Sequence, residues 1–301
     1  MQEVPCPLCN IYSTDVVITE NGYSGKKCPC CNTIFISPRP SEDEIIALYE
    51  EDNAIVPAES HISGGLSKRL YARHNLALVK KHIKSGSLLE IGAGAGHFLQ
   101  EARRQGFDVY GIEPNRVQAN YINGLGIRCE TAPLSASSFG GRAFDIIYHC
   151  DVLSHFYDPV KTFKTINSKL NDEGYIIFET GNLGDVASKF YRYFLGFLYP
   201  DHLSFFGEGG IKKLLNISGF DLIKIYHYNL LTPLVLKKLL SSSHPPVSIS
   251  KNGTKKRSEL ARLASDIYDY GSYHLRYNFG SVYIKPDMPQ TIIVVAKKIL
   301  E

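Results

Sequence analysis

Two sets of residues in this chain have the types and spacing to do chemistry. The first is sulfur. Cys6-Pro7-Leu8-Cys9 and Cys28-Pro29-Cys30-Cys31 form a C-x2-C pair, a gap of 18 residues and a second C-x2-C pair. Four thiolates at this spacing suit tetrahedral zinc gripped by two knuckle turns. A redox pair or a disulfide is the alternative use of such cysteines. A site closed by Cys6, Cys9, Cys28 and Cys31 leaves no coordination position for a substrate, so its expected role is structural. Cys30 is the spare thiol. Cys129 and Cys150 stand alone near predicted strand ends and read as small core residues rather than nucleophiles.

The second set is acid and glycine. The run Ser87-Leu88-Leu89 reaches Glu90, turns through Gly92-Ala93-Gly94-Ala95-Gly96 and opens a helix at His97. A second apolar run, Val109 to Ile112, ends in Glu113. Strand, glycine turn, helix, strand and acid make the layout of a nucleotide site. The turn lets backbone approach the ligand, the helix N-terminus offers unpaired N–H groups, and the acid can accept from ribose hydroxyls. His97 stands where a dinucleotide fingerprint has its third glycine. Glu90, just before the turn, would repel a pyrophosphate and suits a ligand with a positive end.

S-Adenosylmethionine has such an end, a sulfonium with an ammonium nearby. On these residues the chain resembles the class I S-adenosylmethionine-dependent methyltransferases, whose first motif reads acid-x-Gly-x-Gly-x-Gly. The resemblance implies cofactor contacts at Glu90, Gly92, Ala93, Gly94, Gly96, Glu113 and Pro114. It implies another at Ala132, in the stretch Cys129 to Leu134 that passes the adenine. The segment Phe144 to Pro159 is similar to a stretch of many small-molecule methyltransferases, Phe-Asp-apolar-apolar through Leu-x-His to Asp-Pro. By that similarity Cys150 and Asp151 line the methionine end of the cofactor and the substrate mouth. His155 is a general base or a cap of the following helix.

A further stretch, Tyr199-Pro200-Asp201-His202-Leu203-Ser204, is similar to the Tyr-x-Glu-His-Leu-Ser segment of sugar C-methyltransferases acting on nucleotide-linked deoxysugars. Those enzymes also begin with a zinc ribbon. Carried across, Tyr199, Asp201 and His202 take the places of the Tyr, Glu and His, with Asp replacing Glu. His202 lies between an acid and apolar residues, an arrangement that can orient an imidazole and tune it near neutrality. It is the first choice of base and His155 the second. The expected reaction is in-line methyl transfer to a small-molecule acceptor, with nucleotide sugars the leading candidates and no metal needed for that step.

These residues must be positioned by elements the pattern also shows. Residues 1–40 read as a zinc ribbon with short strands at Val16–Ile18 and Thr33–Ile36. Residues 41–85 read as a helical connection that opens on the capping box Ser41-x-x-Glu44. From 86 to 301, strands at Leu88, Val109, Ile127, Phe144, Tyr175 and Phe220 alternate with helices at Phe98, Arg116, Pro159 and Glu208. That alternation predicts an α/β, Rossmann-like doubly wound sheet. The methyltransferase resemblance adds a last strand, Thr291 to Lys297, inserted antiparallel. Residues 229–290 exceed the short hairpin usual at this step and form an insertion with helices near Leu230–Leu240 and Glu259–Tyr270. Between them lies a polar loop carrying the charge run Lys255-Lys256-Arg257, whose ordinary reading is a solvated surface.

Composition narrows the partners. Of 301 residues 44% are hydrophobic and 21% charged, as expected of a globular chain able to bury a core. A net charge of +3 gives little reason to expect nucleic acid or an anionic membrane. An RNA-modifying enzyme is the first rival, since Lys26, Lys27, Lys68 and Arg69 are available, but the ribbon has little aromatic stacking surface. A non-catalytic module using cofactor or zinc for assembly is the second. No apolar leader or membrane-length run is visible, so a cytoplasmic location is expected.

Overall fold

The computed structural model describes residues 1–50, 62, 66–241, 259–279 and 285–300. The Lys255–Arg257 charge run, and most of the loop-like stretch between residues 50 and 65, lie outside the described residues. The large sheet has seven strands: β4 (Ser87–Ile91), β5 (Asp108–Ile112), β6 (Arg128–Glu130), β7 (Phe144–Cys150), β8 (Leu170–Gly181), β10 (Phe220–Asn229) and β11 (Gln290–Lys298). Their order is β10-β11-β8-β7-β4-β5-β6. Only β11 runs against its neighbours, pairing antiparallel with both β8 and β10. The expected class I arrangement with an antiparallel last strand is what the chain adopts.

Every residue of β4 is buried, because the strand sits centrally with helices on both faces. Adjacent residues along the strands divide between two cores. Leu88, Ile146, Ile177 and Ile293 pack with α2 (Leu66–His82), α3 (His97–Arg104) and α4 (Arg116–Gly124). Leu89, Ile147, Phe178 and Val294 pack with α5 (Pro159–Ser168) and α6 (Glu208–Ile217). The period of two along each strand thus builds both layers at once. The capping box at α1 (Glu42–Glu50) forms as expected. The Glu44 carboxylate accepts from Ser41 N at 2.8 Å, and Ser41 Oγ accepts from Glu44 N at 3.3 Å.

A second, four-stranded sheet contains β1 (Val16–Glu20), β2 (Tyr23–Lys27), β3 (Ile34–Ile36) and β9 (Ser204–Phe205). Its last strand comes from the far side of the chain: Ile34 is opposite Phe205 and Phe35 opposite Ser204. The N-terminal sheet is therefore completed by the segment that carries Asp201 and His202. Two elements went unread in the sequence, β2 and β9; Tyr-Ser-Gly-Lys-Lys and Ser-Phe have no apolar alternation of their own. In the insertion, α7 (Leu231–Ser241) and α8 (Glu259–Tyr273) occupy the expected helical positions, and α8 runs on into a π-turn at His274–Asn278. No helix among the described residues is long and apolar enough to cross a membrane.

Candidate active site and cysteine cluster

The glycine turn leaves β4 with Gly92, Gly94 and Gly96 all at positive φ, near 68°, 54° and 69°. At Gly92 this conformation and the space both matter, since a Cβ would stand 2.6 Å from Val152 Cγ2. Gly92 N and Ala93 N bond to Ile112 O, so the turn is tied to the end of β5. Glu113 closes the same corner. Its carboxylate accepts from Gly94 N at 2.8 Å and from Asn115 N at 2.9 Å. Asn115 caps α4 by accepting from Gln118 N, and Pro114 lies half-buried between the two.

Glu90 is the electrostatic anomaly here. It is 5% exposed, and its Oε2 has no hydrogen-bond partner. Burial pushes its carboxyl well above the usual range, the Glu113 charge pushes it further, and a Leu99 backbone hydrogen bond offsets only part. Glu113 is raised too, by burial, against the lowering effect of its two backbone donors. Two buried acids that destabilise one another's charge form a site that gains from a cation. The donor set fits the positive end of S-adenosylmethionine. Ala132 lies half-buried in the loop after β6.

Past β7 the chain turns at Asp151, whose φ is 54° and whose N–H bonds to Glu179 O. Cys150, Asp151 and Glu179 bring ligand atoms within 4.8 Å of one another. The segment from Tyr199 to Phe205 is laid alongside, with Leu203 N bonding to Ser154 O at 2.7 Å and Ile36 N to Leu203 O at 3.0 Å. This seats His155, Asp201 and His202 in one cluster, their ligand atoms also within 4.8 Å. Asp201 orients His155 rather than its neighbour: His155 Nδ1 lies 3.0 Å from the Asp201 carbonyl and 3.2 Å from its Oδ1. His202 packs edge-on against His155 with ring centroids 4.5 Å apart.

Two expectations are corrected here. His202 is not tuned near neutrality; burial first, then His155, lowers it to about 4, and Asp201 only partly opposes this. Tyr199 does not reach the cluster as a polar group. It is 1% exposed among Ile18, Ile34, Ile36 and Leu203, with its OH against Gly25 and no partner. The ring is long enough to fill the space between β2 and the rim, so packing takes it.

Around Glu179, which the end of the fifth predicted strand already places on the rim, stand residues the motifs did not reveal. Glu179, 1% exposed at the end of β8, accepts from Asn75 Nδ2 at 2.6 Å and from Tyr277 OH at 2.9 Å. Asn75 also donates to Tyr148 OH at 2.7 Å. An asparagine within the apolar run of α2 was the one visible signal. Arg276 and Tyr277 gave none.

The four cysteines converge as their spacing requires. Cys6, Cys9, Cys28 and Cys31 place their sulfurs within 4.8 Å of one another, and Cys6 and Cys31 are 3.6 Å apart. A tetrahedron with Zn–S bonds near 2.3 Å has edges of roughly 3.8 Å. Both turns read Cys-Pro-x-Cys-Asn, with Asn10 and Asn32 at φ near 54° and 59°. Their N–H groups bond to Cys6 O and Cys28 O, which folds each pair into a knuckle. Lys213 of α6 donates to Cys9 Sγ at 3.1 Å, a cation suited to offset four thiolates. Cys30 is exposed and outside the cluster.

The seven-stranded sheet, its antiparallel β11 and the acid-flanked glycine turn define a class I S-adenosylmethionine-dependent methyltransferase. Residues 66–225 match the methyltransferase-domain family, and the chain belongs to it. Among solved structures, the cyclopropane synthase from Mycobacterium tuberculosis is 15% identical over 76% of this chain and 84% of that one, with a TM-score of 0.50. Geranyl diphosphate C-methyltransferase from Streptomyces coelicolor A3(2) is 14% identical over 77% and 80%, also at 0.50. It was solved with Mg2+, geranyl diphosphate and S-adenosyl-L-homocysteine. At such identity the likeness is one of fold. No curated protein matches the sequence.

Proposed function

We propose that the chain moves the methyl group of S-adenosylmethionine to a small-molecule acceptor at the rim between β7, β8 and the Tyr199–Phe205 segment. The observation that carries this reading is Glu90, a buried carboxylate with an unpartnered oxygen beside a turn of positive-φ glycines. Glu90 and the turn from Gly92 to Gly96 would hold the methionine portion. Glu113, kept in place by Gly94 N and Asn115 N, would take the ribose hydroxyls. When bound, the cofactor supplies an electrophilic methyl on a sulfonium.

The chain's own work is then alignment and proton removal. Holding acceptor and methyl in line can supply several kcal/mol. Of the two histidines, the geometry favours His155 as base. An acid on Nδ1 fixes the tautomer that leaves Nε2 basic, as Asp201 is placed to do. His202, held neutral, walls the site. Cys6, Cys9, Cys28 and Cys31 would hold a structural zinc, tying the N-terminal sheet to α6. The similarity of residues 199–204 to sugar methyltransferases makes nucleotide sugars the first acceptors to screen.

Calorimetric titration of S-adenosylmethionine and S-adenosylhomocysteine tests the reading, with Glu113→Ala alongside. Micromolar binding, about −8 kcal/mol, that weakens at least tenfold in the variant is the expected result. No binding to the folded wild type would overturn it.

A further inference from the structure

The insertion delivers a cation to the rim. Arg276 lies in the π-turn at His274–Asn278, a geometry that re-aims side chains within a helix. Its side chain is 16% exposed and lies beside the touching rings of Tyr71 and Tyr277, with the guanidinium carbon 5.5 Å from each centroid and the centroids 5.5 Å from one another. The nearest acid, Glu179, is 3.8 Å away and already satisfied by Asn75 and Tyr277. Arg276 makes no hydrogen bond to any described residue, and its buried Nε has no partner.

A guanidinium has five N–H donors in a rigid fork, and leaving a buried one such as Nε unmade is costly. The residue that fills such a fork is a planar or tetrahedral oxyanion. Arg276 also stands within electrostatic reach of Asp151 and Cys150, at the end of β7 where the substrate mouth is placed. Tyr71 comes from α2 and Tyr277 from the insertion, and both pack in the core on one face of the sheet, so the cation is held where these two elements meet.

We infer that Arg276 is an anion-binding residue of this site, taking a carboxylate or phosphate oxygen pair. The inference rests on the cofactor site proposed above. Two sources carry that chemistry: the α-carboxylate of the cofactor itself, or an acidic group on the acceptor. In either case the insertion is a part of the binding site rather than a surface addition.

The test is titration of wild type and Arg276→Gln with S-adenosylhomocysteine and with 5′-methylthioadenosine, which lacks the amino-acid carboxylate. Inorganic phosphate and acetate are then titrated into the S-adenosylhomocysteine complex, while the Arg276 Nε–H resonance is followed by NMR. If the cofactor carboxylate is the ligand, the variant binds S-adenosylhomocysteine at least tenfold more weakly and methylthioadenosine equally well. If an acidic acceptor is the ligand, cofactor affinity is unchanged and the free anions shift the resonance in wild type. A resonance that no probe moves, with equal affinities in both proteins, overturns the inference. Failure of S-adenosylhomocysteine to bind wild type would instead sink the cofactor site. Arg276→Lys, which keeps the charge and loses the fork, serves if the glutamine variant fails to fold; it should show the same selective loss.

Discussion

The two halves of the sheet's carboxyl edge are built differently. At β4 and β5 the site is local: Glu90, the glycine turn and Glu113 fall within one strand-turn-helix-strand unit, and its hydrogen bonds run between near neighbours. At β7 and β8 it is assembled from afar. His155 meets Asp201, Glu179 meets Asn75 and Tyr277, and β9 completes a sheet begun by β1, β2 and β3. The first half can bind a ligand common to the whole family with a self-contained motif. The second depends on the N-terminal sheet and on the insertion, which supply β1 to β3 and Tyr277.

The largest effect should come from breaking the second half through its remotest support. Glu20 accepts from Phe197 N and Tyr199 N at 2.9 Å each, and Asn21 donates to Tyr199 O. With Ile36 and Leu203, these bonds hang the His202 segment from the N-terminal sheet. If the four cysteines hold zinc as proposed, stripping it with a chelator should cut turnover about a thousandfold, because both histidines of the cluster lose their support at once. The affinity for S-adenosylhomocysteine should move less than about threefold, because the glycine turn is tied to Ile112 and Glu113 rather than to the N-terminal sheet. Equal losses in both would show that the halves are not separable.

A smaller and sharper cut is His155→Gln. Turnover should fall roughly a hundredfold with cofactor affinity intact. His202→Gln should cost less, since an imidazole already lowered to about 4 is a poor base at neutral pH. Single-turnover rates and calorimetry on the two variants check the order; the reverse order would return the base role to His202.

On the other half, Gly92→Ala adds a side chain where φ is near 68° and where Val152 is only 2.6 Å from the new carbon. Left-handed backbone without glycine costs about 1–2 kcal/mol, and Val152 must shift as well. Urea unfolding should show that loss, and cofactor affinity should fall with it.

The difference between the halves also explains what could be read from the sequence. The glycine turn, Glu113, both knuckles and every strand of the large sheet were legible, because each is written in a short window by periodicity or by spacing. His155, Asp201 and His202 were found through resemblance to methyltransferase segments, but their pairing was not, since which imidazole Asp201 faces is set by the Leu203–Ser154 bond 49 positions away in sequence. Tyr199 was misplaced for a related reason. A tyrosine beside a histidine looks catalytic until β2 supplies Gly25 to pack against its OH. Arg276 was invisible because only a π-turn at the end of a long insertion aims it at Glu179.

The last test leaves turnover aside and probes the strand that both halves share. His149, on β7, is fully buried, stacked on Phe178 at 4.8 Å and 15° and edge-on to Phe156 and Phe163. Neither of its nitrogens has a partner, and burial lowers it to about 3. An unfolded histidine titrates near 6.5. Above that pH both states are neutral and the residue contributes no pH dependence. As pH falls below it, the unfolded chain takes up a proton that the folded chain refuses, so stability drops by about 1.4 kcal/mol per pH unit until the folded group also titrates. His149→Phe keeps the stacking and removes the proton. The variant should thus gain on wild type by roughly 2 kcal/mol on going from pH 7 to pH 5, measured as the difference in urea unfolding free energy. A constant difference between the two proteins would mean that His149 finds a partner for its proton, and that the floor beneath the acceptor half is less dry than its aromatic lining indicates.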